Sequence, residues 1–221
     1  MIDVVPAIIP KRFEDLEEKI GEVAPYVKTV QIDIMDGTFV SVRSWPFNAE
    51  DNGEEVFDGE EHLAAFRPLS FELDMMVAKP EQYIDMWSDF GIDTFVIHLG
   101  STSNMQGVID YIKDKERGVG LALTPSESLD AIEPFVRDVD FIQFMGNDRI
   151  GRQGVSLDES VLERIKDLRA RHKDIIISND IGVSLETAHD LIKAGANKLV
   201  SGSAIYESND IEGTIKKLKN A

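Results

Sequence analysis

The fold can be read outward from one stretch, Val30-Gln31-Ile32-Asp33-Ile34-Met35-Asp36-Gly37, an apolar run that carries a carboxylate and ends in an acidic turn. A run of this kind is typical of a strand covered on both faces. Asp33 is unusual there, because charged side chains are almost never fully buried unless they are paired. A late run, residues 175–182, likewise delivers Asp180 just before a glycine. Two aspartates at strand ends, far apart in sequence, predict one shared site.

Short apolar runs recur through the chain, and helical spacing follows them. The predicted strands are residues 4–9, 29–35, 71–77, 94–99, 118–123, 139–145, 174–181 and 198–205. The predicted helices are residues 12–23, 60–66, 80–90, 104–115, 128–135, 158–171, 184–194 and 210–218. Eight βα units predict a closed (β/α)8 barrel, and the alternative is an open doubly wound sheet. We expect a single domain over 1–221, with an acidic surface excursion at about 48–61.

Composition narrows the classes of partner. The chain of 221 residues has 41 acidic and 23 basic side chains, a net charge of −18, which disfavours nucleic acid and anionic membranes. The absence of cysteine excludes disulfides and thiolate metal sites. No apolar run approaches membrane-spanning length, and no secretory leader is evident, so we expect a cytoplasmic protein.

Polar residues near the carboxyl ends of the strands are the candidates for chemistry, because that end carries the active site of such barrels. They are Gln31, Asp33, Asp74, His98, Asn147, Asn179 and Asp180. Each aspartate alone could simply cap the following helix. Taken together, carboxylates on opposite sides of a substrate favour proton transfer at a carbon beside a carbonyl. His98 could be an acid, a ligand or a satisfied buried histidine.

The turns after the seventh and eighth strands, residues 180–184 and 201–205, predict a phosphate site. Glycine lets backbone amides approach a phosphate closely, and this is the recurrent phosphate position of the fold. The loop after the sixth strand, residues 147–154, carries Arg149 and Arg152, which could contact phosphate or pair with surface acids. Met35, Met76 and Met145 end three strands and are interpreted, one by one, as core filling.

The chain resembles the ribulose-phosphate 3-epimerase family along nearly its whole length. The resemblance rests on residues 33–40, on Met76 through Ile84, and on Met145, Gly151, Gln153, Asp180, Gly182 and 202–205. It implies a phosphorylated ketose substrate, a homo-oligomer and an acid/base role for Asp33 and Asp180. It also implies a cap of the three methionines and phosphate binding by Gly151, Gly182, Gly202 and Ser203.

Departures from the family pattern bear on the metal. The family binds a divalent cation through two histidines and two aspartates, and Gln31 and Asp74 stand at the histidine positions. Ala7 replaces a substrate-contacting serine, and Ile181 replaces the first glycine of an Asp-Gly-Gly turn.

Asp33, Asp74 and Asp180 are expected to converge, and their charges then need an offset. One solution is a metal site formed by these three residues, with Mg²⁺ or Mn²⁺ favoured over Zn²⁺ by oxygen ligands. The others are a shared proton, or Arg149 or Arg152 folding over the barrel mouth.

The leading functional hypothesis is a sugar-phosphate epimerase or isomerase that uses Asp33 and Asp180. A lyase on the same barrel is a second reading, although Met76 stands where related barrels carry the lysine of an Asp-x-Lys-x-x-Asp motif. A third reading is a catalytically silent paralogue that binds a sugar phosphate or a partner protein.

Overall fold

Eight parallel strands close into a barrel in sequence order in the computed structural model, which describes residues 2–48 and 63–221. The strands are β1 (Asp3–Ile8), β2 (Thr29–Met35), β3 (Ser70–Met76), β4 (Thr94–His98), β5 (Gly118–Leu123), β6 (Phe141–Met145), β7 (Ile176–Asp180) and β8 (Lys198–Ser201). The pairing of β1 with β8 completes the ring. The predicted (β/α)8 fold is therefore confirmed, and the open-sheet alternative is wrong.

Helices cover the outside of the barrel. They are α1 (Phe13–Val23), α2 (Ile84–Phe90), α3 (Met105–Asp114), α4 (Ser160–Arg171), α5 (Ala188–Ala194), α6 (Ser203–Tyr206) and α7 (Ile211–Lys219). Short 3-10 turns lie at Ala64–Phe66, Pro80–Gln82 and Leu129–Ala131. Within the described ranges no helix is long and apolar enough to cross a membrane. The acidic excursion lies outside the described residues apart from Asn48.

Several predicted elements are shorter than their sequence pattern. The strand expected over 198–205 ends at Ser201, because Ser203–Tyr206 form α6, and the helix expected over 80–90 begins at Ile84 after a 3-10 turn. The helix expected over 128–135 is wrong, because the structure forms only the 3-10 turn Leu129–Ala131 there. Pro134 accounts for this, since it lacks the amide that a continuing helix needs. The helix expected from Ser184 begins at Ala188, because the hydroxyls of Ser184 and Thr187 accept backbone amides in a local turn.

The register of the sheet explains the carboxylates inside an apolar run. Successive side chains of a strand point to opposite faces, so Ile32 and Ile34 pack outward against the helices while Asp33 faces the barrel interior. The β2–β3 pairing places Asp33 directly opposite Asp74. Separate apolar clusters line the interior: Val96, Ala122, Phe141 and Met145 in one, and Val5, Ala7 and Val200 in the other.

An ion pair fills the amino-terminal end of the barrel interior. The Lys198 ammonium lies 2.6 Å from Glu72 Oε2 and 3.7 Å from the centroid of the Phe141 ring. Both charged residues are buried, and burial raises the pKa of Glu72, an effect that the charge of Lys198 opposes. This pair closes the floor beneath the polar centre described next.

Candidate active site

A cavity of about 510 Å³ opens at the carboxyl ends of the strands. Asp33 and Asp180 line it together with Met76 and Met145. The loop after β6 and the turns after β7 and β8 line it as well. The two sequence-predicted acid/base residues therefore face one cavity, although β2 and β7 are not neighbours in the barrel.

Three buried carboxyl groups converge beside this cavity. Asp33, Asp74 and Asp180 each offer an oxygen, and these oxygens all lie within 4.8 Å of one another. Gln31 Nε2 donates to Asp33 Oδ1 at 2.9 Å. The amide oxygen of Gln31 is fully buried and has no hydrogen-bond partner among the residues that the structure describes.

Asp74 lies behind the cavity and is held on both sides. His98 Nε2 lies 2.6 Å from Asp74 Oδ1, and Gln143 Nε2 donates to Asp74 Oδ2 at 3.2 Å. Ser178 Oγ in turn donates to Gln143 Oε1 at 3.2 Å. Burial lowers the pKa of the His98 imidazole, but the charge and the hydrogen bond of Asp74, together with the charges of Glu127 and Asp180, raise it above its ordinary value. His98 is thus the partner of a buried carboxylate, a contact that sequence reasoning left open.

The environment shifts both cavity carboxyl groups toward the protonated form. Burial, then the charges of Asp180 and Asp74, raise the pKa of Asp33 well above its ordinary value. Burial and the charge of Asp74 raise the pKa of Asp180 to about 7, against the opposing hydrogen bond from the Ile181 amide. A carboxyl group whose pKa lies near neutrality, as that of Asp180 does, can both accept and return a proton at physiological pH.

A strained turn fixes the carboxylate of Asp180. Ile181 has a φ of +71°, which is rare for a β-branched residue, and its amide donates to Asp180 Oδ1 at 2.7 Å. Asn179 Nδ2 holds the Ile181 carbonyl at 3.1 Å. A Cβ at Gly146 would lie 2.0 Å from that carbonyl oxygen, so the residue that follows β6 must be glycine. Sequence reasoning missed Gly146, since only the closed barrel brings it against Ile181.

The predicted phosphate residues lie along the wall of the cavity. Gly182, Gly202 and Ser203 line it, as does Gly151. Gly182 combines a φ of +71° with a site where a Cβ would lie 2.5 Å from the backbone nitrogen of Leu157. This geometry admits only glycine.

Gly151 has a second role as a packing partner. It has a φ of +78°, and a Cβ there would lie 2.6 Å from Met35 Sδ. Met35 itself is fully buried beneath this loop, whereas Met76 and Met145 line the cavity.

The remaining candidates are dispersed. Asn147 bonds its own loop, through the Ser156 carbonyl and the Arg149 amide. Arg152 lines the cavity, and Arg149 is absent from its wall. In the described part of the chain neither arginine forms an ion pair with the three aspartates, so the structure does not show an arginine closing over them.

The oxygens of Asp33, Asp74 and Asp180 fit a hard divalent cation. Three carboxyl groups supply oxygens at close range, and the unpartnered Gln31 oxygen is a buried acceptor that a cation or a donor must satisfy. Mg²⁺ and Mn²⁺ prefer such oxygen ligands, whereas Zn²⁺ sites favour imidazole and thiolate. His98 and Gln143 would orient Asp74 from behind, as outer partners of metal ligands do.

These features define a class of protein: a (β/α)8 barrel with a buried acidic centre at the carboxyl ends of its strands and glycine turns lining the same cavity. The model of the family described as "Ribulose-phosphate 3 epimerase family" matches residues 3–206. The chain belongs to this family.

Full-length relatives agree with this assignment. A ribulose-phosphate 3-epimerase of Bacillus subtilis is 30% identical over 100% of both chains. A ribulose-phosphate 3-epimerase of Schizosaccharomyces pombe is 28% identical over 99% of this chain and 92% of its own length.

Solved structures share the barrel at lower identity. A 3-hexulose-6-phosphate synthase superimposes with a TM-score of 0.71 at 21% identity, covering 100% of this chain and 99% of its own. The KGPDC of Streptococcus mutans also gives a TM-score of 0.71, at 14% identity, covering 100% of this chain and 97% of its own. These likenesses establish the fold alone.

Proposed function

We propose that the protein epimerises or isomerises a phosphorylated ketose by proton transfer at the carbon next to the carbonyl, as its family would suggest. The observation that carries the proposal is the pair Asp33 and Asp180. Both are buried carboxyl groups, both face one cavity, and both have pKa values that burial raises above the ordinary value. Family membership supports this pairing but leaves the reaction of this chain as a proposal.

In the proposed reaction one aspartate removes the proton from the carbon beside the ketone, which leaves an enediolate. The other aspartate delivers a proton to the opposite face of the same carbon, so its configuration inverts. After the reaction the first aspartate is protonated and the second is ionised, which is the reverse of the starting state. The same pair can therefore catalyse the reaction in either direction. The amide of Ile181 holds one oxygen of Asp180 and the side-chain amide of Gln31 holds one of Asp33, which orients both groups.

Two further parts would complete the site. The turns that contain Gly182, Gly202 and Ser203 would hold the phosphate and fix the distance to the reacting carbon. A divalent cation, Mg²⁺ or Mn²⁺ in preference to Zn²⁺, would be held by the three aspartates and would supply positive charge for the enediolate. The buried His98 beside Asp74 would, when protonated, offset part of the negative charge.

The two alternatives make different demands on the site. A lyase of the related barrels would use a lysine at the position of Met76, and in the described chain no lysine lines the cavity. Lys198 is committed to Glu72 at the barrel floor. A silent binding protein would not need two carboxyl groups with raised pKa values facing one cavity, so the epimerase hypothesis has the stronger support.

Turnover of a panel of pentulose and hexulose phosphates tests the proposal. The purified protein is incubated with each sugar after chelation, and again with Mg²⁺, Mn²⁺ or Zn²⁺, and products are identified by NMR. We expect one epimer pair to interconvert, and Asp33→Asn and Asp180→Asn to slow it by a factor of about 10³ or more. Calorimetric binding without turnover of any sugar would favour the silent paralogue instead.

A further inference from the structure

The wall of the cavity is strongly acidic. Among the described residues its acidic side chains are Asp33, Asp180, Glu186 and Glu207, and its one basic side chain is Arg152. The chain as a whole adds a net charge of −18 to this field. A phosphate group carries up to two negative charges and would enter against this potential. Without a positively charged side chain, only neutral backbone amides would offset the charges of Glu186 and Glu207 near the turns.

Arg152 is placed between two anchors of its loop. On one side Gly151 is buried against Met35, where a Cβ would lie 2.6 Å from the sulfur. On the other side Gln153 Nε2 lies 3.0 Å from the position of a Cβ on Gly202. Arg152 therefore lies between a buried glycine at the barrel mouth and a residue whose side chain reaches the turn predicted to hold phosphate.

The guanidinium of Arg152 is also uncommitted. It is exposed, and no hydrogen bond or ion pair holds it within residues 2–48 and 63–221. Three other arginines are engaged: Arg164 donates to the Pro125 carbonyl, Arg169 to that of Gly195, and Arg171 to Asp167. Arg149 in the same loop is also without an ion pair in the described chain, but it lies outside the cavity wall. Arg152 thus combines a place on the cavity wall with a free charged head group.

We infer that Arg152 determines specificity for a phosphorylated substrate: its guanidinium receives the phosphate and offsets the charges of Glu186 and Glu207. The planar fork of arginine matches two phosphate oxygens at once, which a lysine cannot do. The inference rests on the proposed function, because it names the group that admits the phosphate of that substrate. It assigns to Arg152 substrate selection, and leaves proton transfer to the aspartates.

Calorimetric titration of inorganic phosphate into the protein at low salt, in the presence of a chelator that removes metal ions, tests this role. Arg152→Gln should weaken phosphate binding about tenfold, the size expected for a charge-assisted hydrogen bond at an open site. Arg152→Lys should recover only part of the loss. Arg149→Gln is the matched control, since it removes the same charge from the same loop at a residue outside the cavity wall. Its affinity should stay within about twofold of the wild type.

A second arm removes an opposing charge. Glu207→Gln should tighten phosphate binding, and with the ketose phosphate Arg152→Gln should raise KM more than it lowers kcat. Arg152→Gln that binds phosphate like the wild type would overturn the inference, and so would an equal loss in Arg149→Gln. A wild type that binds no phosphate also overturns it. Turnover of a ketose phosphate decides separately whether the proposed function survives any of these results.

Discussion

Replacing Asp180 by asparagine should make the protein more stable at pH 8 while it stops proton transfer. Burial and the charge of Asp74 raise the pKa of Asp180 from 3.8 to about 7. Each unit of pKa corresponds to about 1.4 kcal/mol, so the ionised side chain opposes folding by at most about 4 kcal/mol above pH 7. Asparagine keeps the shape and an acceptor for the Ile181 amide but carries no charge.

The raised pKa of Asp180 determines the pH range in which Asp180→Asn is more stable than the wild type. Below about pH 4 the carboxyl group is protonated in both the folded and the unfolded chain, so wild type and Asp180→Asn should differ little. Between about pH 4 and pH 7 the unfolded chain ionises while the folded one does not, and the wild type progressively loses stability. Above this range the difference is constant.

Urea unfolding in the presence of a chelator, from pH 4 to pH 8, measures the difference directly. The control is Asp36→Asn, because the Asp36 carboxylate accepts the amides of Thr38, Phe39 and Ala78. That substitution should destabilise rather than stabilise. Asp180→Asn that gains nothing at pH 8, or gains as much at pH 4, would refute the reasoning. Addition of Mn²⁺ should stabilise the wild type and have less effect on the variant.

Three other predictions address the glycine turn, the barrel floor and the cation. Gly182→Ala should cost about 3 kcal/mol or more in urea unfolding, because a Cβ would meet the Leu157 backbone at 2.5 Å. Gly154→Ala has a similar φ of +70° but open space, so it should cost only about 1–2 kcal/mol; equal losses would contradict the contact. Lys198→Met should lower the free energy of unfolding by about 3–5 kcal/mol at neutral pH, since it leaves Glu72 buried and unpaired. Adding Glu72→Gln should recover most of this loss. A Lys198→Met variant as stable as the wild type would contradict a stabilising role for the pair. Gln31→Met should weaken Mn²⁺ binding about tenfold by calorimetry or EPR titration, whereas Gln153→Met should not, and an unchanged affinity in Gln31→Met would remove the amide oxygen from the ligand set.

Much of the fold could be predicted from local sequence. Eight apolar runs separated by helical spacing determine the number and direction of the strands, since a strand buried on both faces needs continuous apolar sequence. Because successive side chains of a strand point to opposite faces, Asp33 and Met35 of β2 lie on the face opposite Ile32 and Ile34. The apolar spacing predicts a helix over 128–135, but only a 3-10 turn forms there, because Pro134 has no amide to donate to a continuing helix.

The contacts within the site were less predictable, because they join residues that only the closed barrel brings together. His98 and Asp74 are 24 positions apart, and Glu72 and Lys198 are 126 apart. Neither pair has a spacing motif, so His98 remained ambiguous and Lys198 was not singled out. Isoleucine itself gives no signal for the positive φ at position 181, since a β-branched residue ordinarily indicates extended backbone. The glycine that the family resemblance implies at this position is consistent with the positive φ.

The measurement that tests the central claim most directly is the incorporation of solvent deuterium into D-ribulose 5-phosphate or another ketose phosphate that the protein turns over. NMR follows the carbon beside the ketone in D₂O for the wild type, Asp33→Asn and Asp180→Asn. We expect deuterium at that carbon alone with the wild type, and incorporation slowed by a factor of about 10³ or more with either variant. Epimerisation without incorporation, or both variants exchanging at the wild-type rate, would contradict an acid/base pair of Asp33 and Asp180.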